Sequence, residues 1–583
     1  MTTPDPDAQT QTPAATEYSS SSSSSSSNIK DQVIEGPDLN CSRTPLDKKS
    51  YRQIIIKKNG LKVVLISDTL AMIHQEKFEY DSEESDDSDN EQEKDKDGKN
   101  AKAKDDDEKE DDSQDGDEEE SSYEDDGVRK SAAALVVGAG SFHDPPFAQG
   151  MAHFLEHMLF MGTTKYPVEN QYDAFLSKNS GSDNAYTELE HTMYHMEVSQ
   201  EKFFEALDML SQFFISPLML KDSVERELNA IESEFQLSKN SDECRLQQLL
   251  CHDCSLQGGP DGGSGSGSGA HKNHPFSRFS WGNIESLKNI PEKNGVDMMK
   301  ELRKFYNRHY YAQNMSLVVI GAYSLDELEK QVVESFSDIP ALPRVDKDGD
   351  DDGKDDEFYN SLTIQREKVG TWDVTAHTPI IDMGMPFTQD TLGRICRIIP
   401  VKDKHSLSIT WQIPPQWKNW SSKPCDFIAH LLGHEAAGSL LSALKAKSWV
   451  NECYAGVGSG GYENASSHAL FCLNFTLSVA GVSHWEEIIR HVYIYIGMIR
   501  YYCKSDGGLP SWMFDELRAI QQMSHHYEDE PTPMDLVEDI ADSLTPYNCL
   551  PPERLLDGNA LLFEYDADAI QVRNSLLLLF CCC

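Results

Sequence analysis

Gln53-Ile54-Ile55-Ile56-Lys57-Lys58-Asn59-Gly60-Leu61-Lys62-Val63-Val64-Leu65-Ile66 reads as a β-hairpin. Two runs rich in β-branched residues flank an Asn-Gly pair, the dipeptide that tight turns of positive φ favour. Downstream, Ala132-Ala133-Ala134-Leu135-Val136-Val137-Gly138 predicts a buried strand. Between them lies Asp81–Asp126, with 25 acidic residues against 6 lysines. Such a tract cannot bury enough apolar surface to fold alone. It is therefore an insertion between strands of one sheet, and not a linker between domains.

Outward from this sheet, the spacing predicts a helix from Ala148 to Met161, ended by Gly162. Helical patterns follow near Glu169–Ser177, Gln200–Phe214 and Asp222–Leu237, with strands around Asn184–Thr187 and His191–Val198. A Gly/Ser stretch, Gly258–Gly269, is a flexible excursion. A helix near Gly295–His309 leads into the strand Met315–Gly321. After a second acidic break, Asp346–Asp356, the same grammar returns. Strand Leu407–Ile413, helix Phe427–Lys445, strands Cys453–Val457 and Ala469–Val479 and helix Trp485–Tyr502 follow in turn. The chain thus divides into a disordered Ser/Pro-rich terminus (1–45), a first domain (46–342, with the insertion at 81–126), an acidic linker (343–357) and a second domain (358–583).

A net charge of −46 argues against nucleic acid, whose phosphates need Lys and Arg, and suits basic partners. No run of about 18 apolar residues is present, so no membrane span is expected. From Met1 to the serine tract at Ser19–Ser27 there is neither a basic start nor an apolar core. With Asp5 and Asp7 present and no arginine before Arg43, neither a secretory signal nor a transit peptide is expected. Thirteen scattered cysteines fit a reducing compartment. The expected location is the cytoplasm.

The chemistry sits on the first long helix. His153 and His157 are four residues apart and project from one face, so both can hold one metal ion, with Glu156 placed to act as base. His-x-x-Glu-His is the reverse of the commoner zinc-helix order. The flanking Phe154, Leu155, Met158, Leu159 and Phe160 are apolar, and three ionisable groups on such a helix need compensation that a metal supplies. Catalytic zinc takes three protein ligands. The segment 226–234 offers Glu227 and Glu234, seven residues apart and on one helix face. The spacing does not choose between them.

Gly150-Met151-Ala152-His153 through His157-Met158-Leu159-Phe160-Met161-Gly162-Thr163 resembles the insulinase/pitrilysin family of metallopeptidases. So do Tyr172-Asp173-Ala174-Phe175-Leu176, Gly181-Ser182-Asp183-Asn184-Ala185-Tyr186-Thr187 and Glu190-His191-Thr192, and so does the gap of 76 residues between His157 and Glu234. The resemblance implies an α+β fold of two related domains, each a mainly antiparallel sheet with helices packed on one face. It implies one Zn²⁺ per chain held by His153, His157 and Glu234, with Glu156 as the catalytic base and Glu227 supporting the histidines. It also implies that Asn184, Ala185 and Tyr186 form an edge strand that pairs with substrate backbone, and that Phe160 and Tyr186 line the pocket beside the zinc. The expected activity is endopeptidase cleavage of oligopeptides at basic or dibasic sites. Two other readings stand beside it: a zinc-binding but inactive peptide-binding module, and a subunit that needs a separate second half or a second copy of itself.

His430 and His434 are also four apart and are followed by Glu435, but this segment resembles the family's distal substrate-anchoring region, with Ala436-Ala437 where relatives carry Gly-Pro. Cys251 and Cys254 form a lone Cys-x-x-Cys with no partner pair for zinc. The ending Leu576 to Cys583 reads as a truncation of the second domain.

Overall fold

The computed structural model describes residues 31–69, 130–255, 274–344, 372, 384–388, 391–505 and 508–577. The insertion at 81–126, the Gly/Ser stretch, residues 345–357 of the linker and residues 578–583 lie outside the described residues.

The first unit is built on a seven-stranded sheet. Its strands are β1 (Val33–Glu35), β2 (Ser50–Ile56), β3 (Lys62–Ser67), β4 (Lys130–Val137), β5 (Ser182–Thr187), β6 (Thr192–Ser199) and β7 (Met315–Gly321), in the spatial order β1-β2-β3-β7-β4-β6-β5. All neighbours run antiparallel except β3 and β7. The hairpin turns where expected. Gly60 has φ 79°, and the buried Asn59 amide donates to the carbonyls of Phe336 and Ile339, tying the turn to the rest of the unit. The insertion leaves after β3 and returns at β4, two strands of this one sheet. Residues 31–45 were expected to be disordered from composition. Instead Val33–Glu35 pairs with Ile54–Ile56, and Leu39 is fully buried.

Seven helices of at least eight residues belong to the first unit among the described residues: α1 (Met151–Leu159), α2 (Gln171–Lys178), α3 (Phe203–Ile215), α4 (Val224–Ser238), α5 (Asp242–Ser255), α6 (Met298–His309) and α7 (Leu325–Phe336). The main core joins Ala133, Leu135 and Val137 of β4 to Phe154 and Leu155 of α1, Phe213 of α3 and Phe336 of α7. The intervening Ala132, Ala134 and Val136 face the other way. A strand buried on both faces is what an unbroken apolar run specifies.

The second unit carries β8 (Ser406–Ile413), β9 (Val450–Val457) and β10 (Ala469–Leu477) in the order β8-β10-β9, all antiparallel. Among the described residues its helices of at least six residues are α8 (Pro424–Gly433), α9 (Leu440–Lys445), α10 (Trp485–Lys504), α11 (Ser511–His526), α12 (Pro533–Ser543) and α13 (Ala567–Leu576). The single helix expected over 427–445 is two. It stops at Gly433, and Gly438 takes φ 89°, so His434 lies beyond the end of the helix that carries His430. The α+β class with two sheet-and-helix units stands. One connection is additional: α12 leaves its own unit and packs Val537, Ile540 and Ala541 against Val64, Ala134, Val136 and Val318, on the back of the first sheet. Burying the Val537 and Ile540 side chains stabilises the docking by about 1.5–3 kcal/mol each.

Candidate metal centre

Helix α1 begins at Met151 and not at Ala148, for a local reason. Gly150 has φ 92°, and a Cβ there would meet Gly282 Cα at 2.2 Å, so only glycine fits. The buried Asp144 caps the helix from outside it: Oδ2 accepts from Gly150 N at 2.6 Å and Oδ1 from Ala152 N at 2.8 Å. Arg278 in turn donates to the Asp144 carbonyl at 2.6 Å. Two of the free amides at the start of the helix are thereby satisfied. Burial pushes the Asp144 carboxyl up to about 7, against the pull of these amides.

From this anchored helix His153 and His157 turn their Nε2 atoms toward Glu234 of α4. His153 Nε2 lies 3.5 Å from Glu234 Oε2, and His157 Nε2 lies 3.5 Å from Glu234 Oε1. A tetrahedral zinc with bonds of about 2.0–2.1 Å needs donor atoms about 3.3 Å apart, so the spacing fits. Donor atoms of all three residues fall within 4.8 Å of one another, and among the described residues no other His, Cys, Asp or Glu group does so. The remote ring nitrogens are engaged as well. His153 Nδ1 is 2.6 Å from the Trp281 carbonyl, and His157 Nδ1 is 3.2 Å from Glu227 Oε2. Each bond turns Nε2 toward the shared point, as partners of metal-binding histidines do.

The charge balance also asks for a cation. Burial alone would push the His157 imidazole down, but Glu227 and Glu234 outweigh it and lift it to about 9. The Glu234 carboxyl is lowered by its contact with His157. Burial raises the Glu156 carboxyl against the opposing pull of His153 and Thr187. Three carboxylates around two imidazoles form an acidic pocket whose donor set, two nitrogens and one carboxylate, suits zinc with a position left open.

Glu156 is only 6 % exposed, and its Oε2 accepts from Thr187 Oγ1 at 2.6 Å. Thr187 closes β5, which pairs with β6 alone and forms the edge of the sheet. Alternation along β5 sends Ala185 and Thr187 to the α1 side and Asn184 and Tyr186 to the other. Tyr186 is expected to line a pocket beside the zinc. Its ring packs on the α12 side, 6.0 Å from His191 and 6.1 Å from His195. Phe160, half-buried at the end of α1, is built into an aromatic cluster with Tyr172, Tyr194 and Phe213, at 6.4, 6.3 and 5.1 Å. The Ala185 amide donates to Asn184 Oδ1 at 2.9 Å.

A cavity of about 520 Å³ lies between α4, α5 and the Phe279–Trp281 segment. Phe235, Leu249, Phe279 and Trp281 line it, with Lys239 and Arg245 at its wall. Cys251 and Cys254 are buried in an apolar cluster with Phe276 and Phe387. Sequence reasoning missed Asp144, Thr187 and the Trp281 carbonyl. An aspartate six residues before Gly150, followed by Pro145-Pro146, and the in-phase spacing of Thr187 with Ala185 were available signals. A backbone carbonyl has none.

Comparison with known proteins gives the family. The profile described as Insulinase (Peptidase family M16) matches residues 121–257, and that of the Peptidase M16 inactive domain matches residues 298–520. The chain belongs to the insulinase family, M16. Within it, the chain is 38 % identical to nardilysin of Homo sapiens over 444 residues, which are 76 % of this chain and 34 % of that protein. It is 38 % identical to a nardilysin-like protein of Arabidopsis thaliana (77 % and 38 % covered) and 35 % identical to the insulin-degrading enzyme of Bos taurus (76 % and 38 %). The chain therefore spans about a third of the length of the curated relatives it matches, 34 % for the nardilysins of Pongo abelii and Homo sapiens. In fold it resembles pitrilysin, with a TM-score of 0.69 at 22 % identity, over 94 % of this chain and 45 % of that one. A protease from Helicobacter pylori shares the fold at a TM-score of 0.56 and 13 % identity, over 90 % of this chain and 96 % of that one.

Proposed function

We propose that this M16 chain is a zinc-dependent endopeptidase acting on oligopeptides. His153, His157 and Glu234 hold the metal, Glu227 and the Trp281 carbonyl orient the imidazoles, and Glu156 is the general base. One observation carries the reading: two Nε2 atoms and a carboxylate converge beside Glu156, whose Oε2 is held by Thr187. Zinc, when bound, supplies Lewis-acid activation of water and of the scissile carbonyl. Glu156 takes a proton from the attacking water at Oε1 as the water oxygen bonds to the carbonyl carbon. It then passes that proton to the amine nitrogen as the C–N bond breaks.

Edge strand β5 receives the substrate backbone by strand addition. The Ala185 amide, covered by Asn184 Oδ1, is the donor that a substrate carbonyl would take over, and Tyr186 contributes its backbone and not its ring. The cavity between α4 and α5 suits an apolar side chain, because Lys239 and Arg245 would repel a basic one. A preference for basic peptides rests instead on the net charge of −46, acting at longer range. Action in the cytoplasm is supported by the ten free cysteines among the described residues.

The test uses quenched neutral and Arg/Lys-rich peptides, with zinc, with chelator, and at two salt concentrations. Cleavage should require zinc and return when zinc is restored. The lower KM for the basic peptide should fade above 0.1 M salt, where the screening length is about 10 Å. A zinc-bound chain that leaves every peptide intact overturns the reading and marks a binding module instead. A second reading is favoured by coverage: spanning 34 % of the human relative, the chain would act as a subunit that needs the remainder. Activity that emerges only on mixing with a separate second half would establish that.

A further inference from the structure

The side chain of Glu156 must be aimed as well as present, and the structure shows what aims it. A glutamate has three rotatable bonds, and buried at 6 % exposure it needs a donor to hold one orientation. Thr187 Oγ1 supplies it at 2.6 Å on Oε2. Among the described residues Oε1 receives no hydrogen bond, so the bond to Oε2 leaves one oxygen for chemistry. Thr187 is suited to the task because it is β-branched and lies in a strand, where its χ1 is stiff. Its register partner Thr192 gives its own proton to the Ala139 carbonyl at 2.8 Å, so the Thr187 proton is the one directed to Glu156.

Thr187 opens a turn that the second unit grips. Gly461 N donates to Glu188 Oε2 at 3.2 Å, and Tyr547 Oη lies 2.6 Å from His191 Nδ1. Glu190 is only 2 % exposed, and both of its oxygens are taken by one residue. Ser466 N donates to Oε2 at 2.7 Å, and Ser466 Oγ donates to Oε1 at 2.5 Å. Among the described residues the first unit bonds the same turn through its backbone, with Ser141 N and Phe142 N on the carbonyls of Glu188 and Leu189 at 3.0 and 2.8 Å, and packs Phe142 and Phe276 with the Leu189 side chain. A carboxylate removed this far from water is costly unless bonded, so the Glu190–Ser466 pairing fixes where the turn, and with it Thr187, can sit.

We infer that Thr187 is a positioning residue for Glu156, and that the second unit takes part in the reaction by holding Thr187 through the Glu190–Ser466 latch. The inference rests on the reading of Glu156 as the general base. Its test uses the zinc-loaded full chain. Thr187→Val keeps the shape and removes the donor. It should lower kcat by roughly 10–100-fold, as a misaimed catalytic group does, with KM within about twofold and zinc content unchanged. Thr187→Ser restores the hydroxyl and should keep kcat within about threefold of wild type. Ser466→Ala should lower kcat less, and the double variant Thr187→Val/Ser466→Ala should be no slower than Thr187→Val alone, because both act through one contact.

Crystal structures of the zinc-loaded variants give a readout independent of turnover. Glu156 should keep one rotamer in wild type and Thr187→Ser and lose it in Thr187→Val. An unchanged rotamer in Thr187→Val, equal losses in the Val and Ser variants, or additive effects of Thr187 and Ser466 overturn the inference. A wild-type chain that binds zinc and cleaves nothing, while its Glu156 rotamer still depends on Thr187, overturns the peptidase reading and leaves the positioning role standing.

Discussion

Glu227 Oε2 lies 3.2 Å from Nδ1 of His157, on the side of the ring opposite the nitrogen that meets Glu234. Two acids of one helix, two turns apart, therefore serve one imidazole from its two ends. Their losses should differ in kind. Glu234→Gln should abolish zinc retention through dialysis if, as proposed, it is one of three ligands. Glu227→Gln should weaken zinc binding or activity by about 10–100-fold. Metal analysis after dialysis separates the two, and the reverse order of severity would exchange their assignments.

Asp144 offers a test of how the metal helix is held. It caps α1 at Gly150 and Ala152 from a buried position. Asp144→Ala should cost about 0.5–2 kcal/mol of stability, the range for a lost helix cap. It should also weaken zinc retention, because His153 sits in the first turn that the cap fixes. Unfolding curves with and without zinc measure both effects. Unchanged stability would mean that Arg278 and the Pro145-Pro146 segment hold the helix start without the carboxylate.

His468 gives the account a pH dependence. Burial, with His274 nearby, pushes its imidazole down to about 3, against the pull of the Tyr462 carbonyl. The unfolded chain takes up a proton near pH 6.5, and the folded chain does not until about pH 3. Unfolding therefore binds a proton between these values, so stability falls as pH falls through that window. Between pH 7.5 and 4.5 the Tm of wild type should drop further than that of His468→Gln. Parallel Tm curves would show that His468 is protonated in the folded chain as readily as in the unfolded one.

Much of the first sheet was legible because its signals are local. The turn at Asn59-Gly60 and the apolar run 132–137 need no distant partner to be read. Helix α12 shows the opposite case. Val537, Ile540 and Ala541 announce an apolar face, but nothing in them says that it covers Val64 and Val136 rather than its own unit. The early strand Val33–Glu35 was hidden for a similar reason: three residues among polar neighbours become a strand only because Ile54–Ile56 present an edge. In the site, the i, i+4 histidines were readable from helix geometry. Which of Glu227 and Glu234 binds metal depends on which ring nitrogen each meets, and spacing does not encode that. Strand parity was also readable along β5: Thr187, and not Tyr186, is the residue in phase with Ala185 on the α1 side.

The central claim is that Glu156 performs the proton transfer while the two histidines and Glu234 only hold the metal. The direct measurement is zinc content and peptide cleavage on one preparation each of wild type and Glu156→Gln. The amide keeps the shape of the side chain and its bond from Thr187 but cannot accept the proton. The variant should retain one zinc per chain and cleave about 10²–10⁴-fold more slowly. A Glu156→Gln chain that carries zinc and cleaves at the wild-type rate would contradict the account.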